Sequence, residues 1–261
     1  MDSAASDQSI IALDGWLQTP AGVYVREWEQ ACLDNLTADI FGYNALQIGM
    51  PQLDALAANR MPSKWLADTR VRPRGADGVA ARQVAVTLDY AELPFASQSL
   101  DLVVLPHVLE FAAEPHQVLR EVERVLIPEG QLIICGFNPT SLWGARQALG
   151  RVTGSPFLPR EGEFISMPRL KDWLKLLNMG ASQSYLGCYA PACRTEKWLH
   201  RAAFMDNAGA RWWPYLGAVY IVQAVKRVKG MHLIGPAWTK KTATAPAGVP
   251  VTNKRREQQD G

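Results

Sequence analysis

The sequence predicts an α/β protein built on a doubly wound, mostly parallel sheet, with an N-terminal helix and a disordered basic C-terminal tail. Three observations lead there. Between residues 43 and 135, short apolar and β-branched runs alternate with segments of helical period, the pattern of βαβ units. A helix-period stretch precedes the first of those runs. The charge is also divided unevenly: residues 226–261 hold eight Lys/Arg against two Asp/Glu, a balance of +6, whereas the rest of the 261-residue chain balances at −4.

The elements follow in order. Residues 1–9 read as a frayed start. Thr19 to Phe41 places Val25, Trp28, Cys32, Leu36 and Ile40 on one helical face, and Gly42 ends it. Tyr43 to Gly49 reads as a buried strand, Gln52 to Ala58 as a short helix, and Lys64 to Ala67 as a second apolar strand. Arg70 to Gly78 is basic and rich in Gly and Pro, hence a surface loop. Gln83 to Leu88 and Ser99 to Leu105 are strand-like. Pro115 to Val125 is a helix with Pro in its first turn and Val118, Leu119, Val122 and Val125 on one side. Gln131 to Cys135 is the next strand and Asn138 to Pro159 a loop-rich insertion. Pro168 to Leu177 is a helix, and Ser182 to Tyr189 and Leu216 to Val225 are strands flanking a Trp-rich stretch. Residues 231–261 are the tail, dominated by Pro, Ala, Thr and Lys.

Composition excludes several classes. With 48% hydrophobic and 20% charged residues the chain can bury a substantial core. Its four cysteines form no CxxC pair or Cys/His cluster, which argues against zinc, any other metal and a disulfide framework. No secretory pattern opens the chain and no apolar run approaches the ~20 residues of a membrane helix. The expectation is a cytoplasmic protein without membrane contact.

The run from Leu93 to Ile134, LPFASQSLDLVVLPHVLEFAAEPHQVLREVERVLIPEGQLII, carries the strongest signal. It resembles the methyltransferase type 11 pattern: LPF, a turn, a strand with an internal Asp, an "hvLE" turn, a helix ending RVL-P-G and a last strand. The continuation GFNPTSLWG resembles a bacterial subgroup of that family. The resemblance implies the class I S-adenosylmethionine-dependent methyltransferase fold, a Rossmann-like sheet of seven strands, over residues 43–230, with residues 1–42 as a helical segment packed on it. It also implies S-adenosyl-L-methionine as cofactor and an unidentified methyl acceptor as substrate.

In such sheets the ligand sits beyond the carboxyl ends of the strands. By the resemblance, Asp89 faces the adenine amino group with Tyr90 beside the ring, and Asp68, nineteen residues after Gly49, takes the ribose hydroxyls. Asp89 is equally a turn residue, Tyr90 a core aromatic, and Asp101 a structural strand residue. The glycine loop departs from the family's D/E-x-G-x-G-x-G. Here it reads Gln47-Ile48-Gly49-Met50-Pro51-Gln52-Leu53, and only Gly49 survives. Pro fixes φ and removes a donor. Losing an acceptor for a charged group costs about 1.5–3 kcal/mol, although the Gln47 amide oxygen still accepts. This erosion supports a second reading, a catalytically inactive methyltransferase fold used for binding or as a scaffold. A nicotinamide oxidoreductase is set aside because no GxGxxG lies near the first strand.

At the mouth, His107 follows the fourth strand and is the candidate catalytic base or substrate contact, with a backbone-bonded turn residue as the plainer reading. Glu110 belongs to the "hvLE" turn, where a helix cap is expected. Phe137, Asn138 and Trp143 follow the fifth strand and are candidates for the acceptor pocket, Asn138-Pro139 being also an ordinary turn. Trp198, Phe204, Trp212, Trp213 and Tyr215, interleaved with Arg201 and Arg211, suit stacking on nucleic-acid bases or, more simply, packing under the last two strands. The basic tail suggests weak nucleic-acid contact that salt would screen.

Overall fold

The computed structural model describes residues 12–69, 84–159, 162–193, 195–202 and 204–227. The frayed start, the Arg70 to Gly78 loop and the 231–261 tail therefore lie outside the described residues, which open with a helical turn at residues 12–17.

Seven strands form one sheet: β1 (Asn44–Ile48), β2 (Ser63–Asp68), β3 (Val86–Thr87), β4 (Leu100–Pro106), β5 (Leu126–Phe137), β6 (Met179–Gly187) and β7 (Val219–Lys226), in the order β3-β2-β1-β4-β5-β7-β6. β1 to β5 run parallel, whereas β7 is antiparallel to both β5 and β6. Strand order reverses between β1 and β4, so a crevice is expected at their carboxyl ends.

The helices are α1 (Pro20–Ala38), α2 (Pro115–Val125), α3 (Leu142–Thr153), α4 (Met167–Leu176), α5 (Glu196–Arg201) and α6 (Phe204–Trp212). α1 starts where Thr19 Oγ1 accepts from Gly22 N and Pro20 fits the first turn. Its buried line is Ala21, Gly22, Val25, Glu29, Leu33 and Thr37, one residue round from the expected stripe; Trp28, Cys32 and Leu36 flank it. In α2, Val118, Leu119, Val122 and Val125 face inwards as expected. Burying such a side chain contributes about 1.5–3 kcal/mol.

Several segments depart from the sequence reading, and β5 and β6 begin at Leu126 and Met179, earlier than the expected Gln131 and Ser182. Residues 51–58 form turns, not a helix. The insertion after β5 contains α3, which the sequence hid: Ser141 Oγ accepts from Gly144 N at its start and Gly154, at φ +81°, ends it. Leu216 belongs to a 3-10 turn (Pro214–Leu216), so β7 begins three residues later than expected.

Alternation along the strands builds a core on each face of the sheet. Ile133, Cys135 and Phe137 face the side of α1 and α3, while Leu132 and Ile134 face the side of α2 and α4. The LPF turn is tied to α2 by Arg124, whose guanidinium donates to Leu93 O and Phe95 O at 2.9 Å each and pairs with Glu121. Asp101 Oδ2 accepts from Tyr43 N and Asn44 N, fixing the entry to β1.

Candidate active site

The carboxyl ends of β1 and β2 and the turn after β3 bring together four of the five residues expected at the cofactor. Gly49 leaves β1 at φ +75° and donates its N–H to Ala67 O at 2.7 Å. A Cβ at this position would lie 3.0 Å from Val108 Cγ2 and 3.3 Å from Tyr90 Oη, so Gly49 is required by conformation and by space. Tyr90 Oη donates to Asp68 Oδ1 at 2.8 Å, and the same oxygen accepts from Thr69 N. Both Tyr90 and Asp68 are buried. Burial, followed by Asp68, pushes the Tyr90 phenol well above its ordinary range, which keeps it a donor. The chain's own hydroxyl thus takes a position on the acid expected to bind the ribose.

Gln47 has a different task from the one the family acid suggests. Its side chain is fully buried, and Nε2 donates towards Gly49 O, Met50 O and Leu53 O at 3.1, 3.1 and 2.8 Å. Oε1 accepts from Ala55 N at 3.1 Å. A carboxylate accepts only and could not serve those three carbonyls. Met50, at φ +50°, Leu53, Ala55 and Leu56 turn their side chains into the core. The loop has exchanged glycines for an amide keystone and apolar anchors. Asp89, in contrast, is exposed; its Oδ1 accepts from Ala91 N at 2.9 Å in a local turn.

His107 lies beyond β4 at φ +53°, buried between two carboxylates. Nε2 meets Glu29 Oε1 at 2.8 Å and Nδ1 meets Glu110 Oε2 at 2.7 Å, with all three side chains almost wholly inaccessible. Burial lowers the His107 pKa, but Glu29 and Glu110 outweigh it and hold it up at about 10. Burial raises the Glu110 carboxyl above its ordinary value while His107 draws it back. Glu110 also accepts from Phe137 N, so it ties the β4 and β5 ends together and does not cap α2. An imidazolium donating from both nitrogens has no lone pair to take a proton. The general-base role expected of His107 does not fit this geometry.

The expected acceptor pocket is filled. Phe137 stacks 4.3 Å from the His107 ring and meets Trp16 edge-on at 5.4 Å. Trp143 packs on Phe157 at 5.2 Å and donates its indole N–H to Ala190 O at 2.7 Å. Asn138 Nδ2 donates to Tyr215 O and Gly217 O, and its Oδ1 accepts from Thr140 N and Thr140 Oγ1. These three residues are core and turn residues here, and Trp16, Phe157 and α1 roof the mouth.

The sequence reading missed Glu29 and Trp16. An acid on the buried line of an amphipathic helix is a readable signal for Glu29, because such a group needs a partner. Nothing local identifies which one: His107 lies 78 residues away.

Comparison with known proteins agrees with the fold. Residues 66–134 match the family described as methyltransferase domain. An Escherichia coli (strain K12) protein described as uncharacterised protein YafS is 29% identical over 259 residues, 99% of this chain and 100% of that protein. A chain from the complex between the Haloferax volcanii Trm112 methyltransferase activator and a methyltransferase superposes with a TM-score of 0.56 at 15% identity, covering 85% of this chain and 98% of that one. A SAM-dependent methyltransferase of Thermotoga maritima gives 0.55 at 14% identity, covering 78% and 92%.

Proposed function

We propose that this chain, a member of the class I methyltransferase type 11 family by its matched segment and its fold, transfers a methyl group from S-adenosyl-L-methionine to an acceptor. The observation that carries the reading is the convergence of Gly49, Asp68 and Tyr90 at the carboxyl ends of adjacent strands, where this fold takes its ligand.

The residues fit the cofactor in part. The left-handed turn at Gly49 leaves room for close approach, Asp68 offers the diol an acceptor once the Tyr90 hydroxyl yields it, and Asp89 and Tyr90 flank the adenine. Gln47 fits less well, since its amide is engaged by the loop. The bound cofactor would supply an electrophilic methyl on a sulfonium. The protein's part is then to position the acceptor and exclude water, without proton abstraction by His107. The same reading puts the reaction in the cytoplasm, where the free thiols of Cys32, Cys135, Cys188 and Cys193 stay reduced, and gives the basic tail a weak, salt-sensitive contact with nucleic acid.

A second reading, a binding or scaffold protein that no longer methylates, is favoured by the Tyr90–Asp68 bond and the filled mouth. Calorimetric titration with S-adenosylmethionine and, separately, S-adenosylhomocysteine decides between them. Micromolar binding of both is the expected result. Absence of heat up to millimolar ligand overturns the enzyme reading.

A further inference from the structure

The large aromatic side chains of the Trp-rich stretch do not pack under the last strands. Trp198, Phe204, Trp212, Trp213 and Tyr215 are 59%, 69%, 71%, 56% and 74% exposed, and Leu216 is 41% exposed. An apolar side chain in water gains nothing from folding, and a soluble surface rarely concentrates this many large ones in about twenty residues.

The segment is sorted by side. Met205 packs on the core and Gly209 lies against Tyr189, where a Cβ would come within 2.3 Å of the ring, so this side of α6 is committed to the protein. Phe204 and Arg211, at i and i+7, fall on the opposite side, and Trp212 ends the helix with its ring exposed. The charges are sorted too. Asp206 turns inwards, its Oδ1 accepting from Tyr24 Oη and from Tyr189 N. Lys197, Arg201 and Arg211 are exposed, and the Arg201 guanidinium lies 5.4 Å from the Trp198 ring. Large aromatics with Arg and Lys between them, on short helices lying along the surface, have the chemistry of a bilayer interface: ring bodies enter the acyl boundary, polar edges stay among headgroups, and cations meet anionic lipid.

We propose that the outer side of residues 197–216 is a docking surface for an anionic lipid bilayer. The balance of groups favours lipid over a nucleic-acid strand. Phe204 and Leu216 join three Trp and one Tyr against only three cations, whereas a strand-binding groove needs cations spaced along the phosphates. The inference departs from the expectation of no membrane contact, which rested on the lack of a spanning segment. Among the described residues no helix is long and apolar enough to cross a membrane, and surface docking needs none. It is independent of methyl transfer.

The test uses the full chain and vesicles of phosphatidylcholine, alone or with phosphatidylglycerol, followed by co-sedimentation and by quenching of Trp fluorescence with lipids brominated on the acyl chain. Binding to the anionic vesicles with quenching is expected, falling about tenfold or more in the Trp212→Ser, Trp213→Ser, Tyr215→Ser triple variant. These side chains are exposed, so an unchanged circular dichroism spectrum and thermal midpoint are expected to accompany that loss. Equal binding by the triple variant would assign attachment to the basic tail and overturn the proposal. So would no binding at low salt, or protection of these Trp residues by a single-stranded oligonucleotide without quenching by lipid.

Discussion

Replacing Gln47 by Glu restores the acid that the family pattern carries at this position, and the structure expects the chain to be damaged by it. In the native loop one amide nitrogen serves Gly49 O, Met50 O and Leu53 O, and the amide oxygen serves Ala55 N, all out of contact with water. A carboxylate would keep the Ala55 contact and turn its second oxygen towards three carbonyls. Each lost hydrogen bond costs about 1 kcal/mol net, and each buried carbonyl left unsatisfied about 1–3 kcal/mol. An unpaired buried charge is dearer still, so the side chain would bind a proton and give back one donor. The expected loss is about 3–5 kcal/mol, a large share of the 5–15 kcal/mol that typically holds a domain together. Urea unfolding followed by circular dichroism measures it. The variant carboxyl has a folded-state pKa raised above its unfolded value, so its protonated form is favoured in the fold. The deficit is therefore smallest below the ordinary Glu range, near pH 4.3, and grows as pH rises through the raised pKa. A Gln47→Glu protein within about 1 kcal/mol of wild type at neutral pH would refute the keystone role. So would tighter cofactor binding without loss of stability.

Tyr90→Phe removes the hydroxyl from Asp68 while keeping the ring; calorimetry should show S-adenosylhomocysteine binding more tightly, by about tenfold for the roughly 1.4 kcal/mol hydrogen bond no longer displaced. The His107 pKa is raised in the fold to about 10 from 6.5, so its contribution to stability is complete below pH 6.5 and is lost as pH rises through about 10. Thermal midpoints should fall across that window. His107→Ala, which leaves Glu29 and Glu110 buried without their cation, should lose about 3–5 kcal/mol at neutral pH and show a flatter alkaline limb. Asn138→Ala deletes the bonds to Tyr215 O, Gly217 O and Thr140, and should lower unfolding free energy by about 2–4 kcal/mol, a structural loss that a stability measurement separates from any change in catalysis.

Much of the sheet was legible because local pattern and tertiary role coincide there. Leu100–Pro106 and, within β5, residues 132–137 are apolar enough to be buried on both faces, as central strands require. Pro115 and the Val118/Leu119/Val122/Val125 face mark α2 without help from the fold. The turns over Gln52 to Ala58 were misread as helix because their apolar side chains are spaced to suit one, whereas the Gln47 and Gln30 amides, brought up by folding, hold the backbone otherwise. α3 was missed because Asn138-Pro139 and the glycines at 144, 150 and 154 look like loop, yet Ser141 caps it and Trp143 anchors it.

The sequence by itself determined the sheet's alternation with its helices, the methyltransferase resemblance carried by Leu93 to Ile134, and Gly49 as the surviving glycine of the first loop. Those features are encoded in short windows, where period, turn residues and backbone freedom act within a few positions. The tertiary structure alone decided what the polar residues at the mouth do. His107 lies between two buried carboxylates because α1 brings Glu29 across 78 residues to join the local Glu110, and Asp68 acquired Tyr90 from the turn after another strand. Pairings of this kind depend on which distant groups share a water-free space, and no local pattern records that.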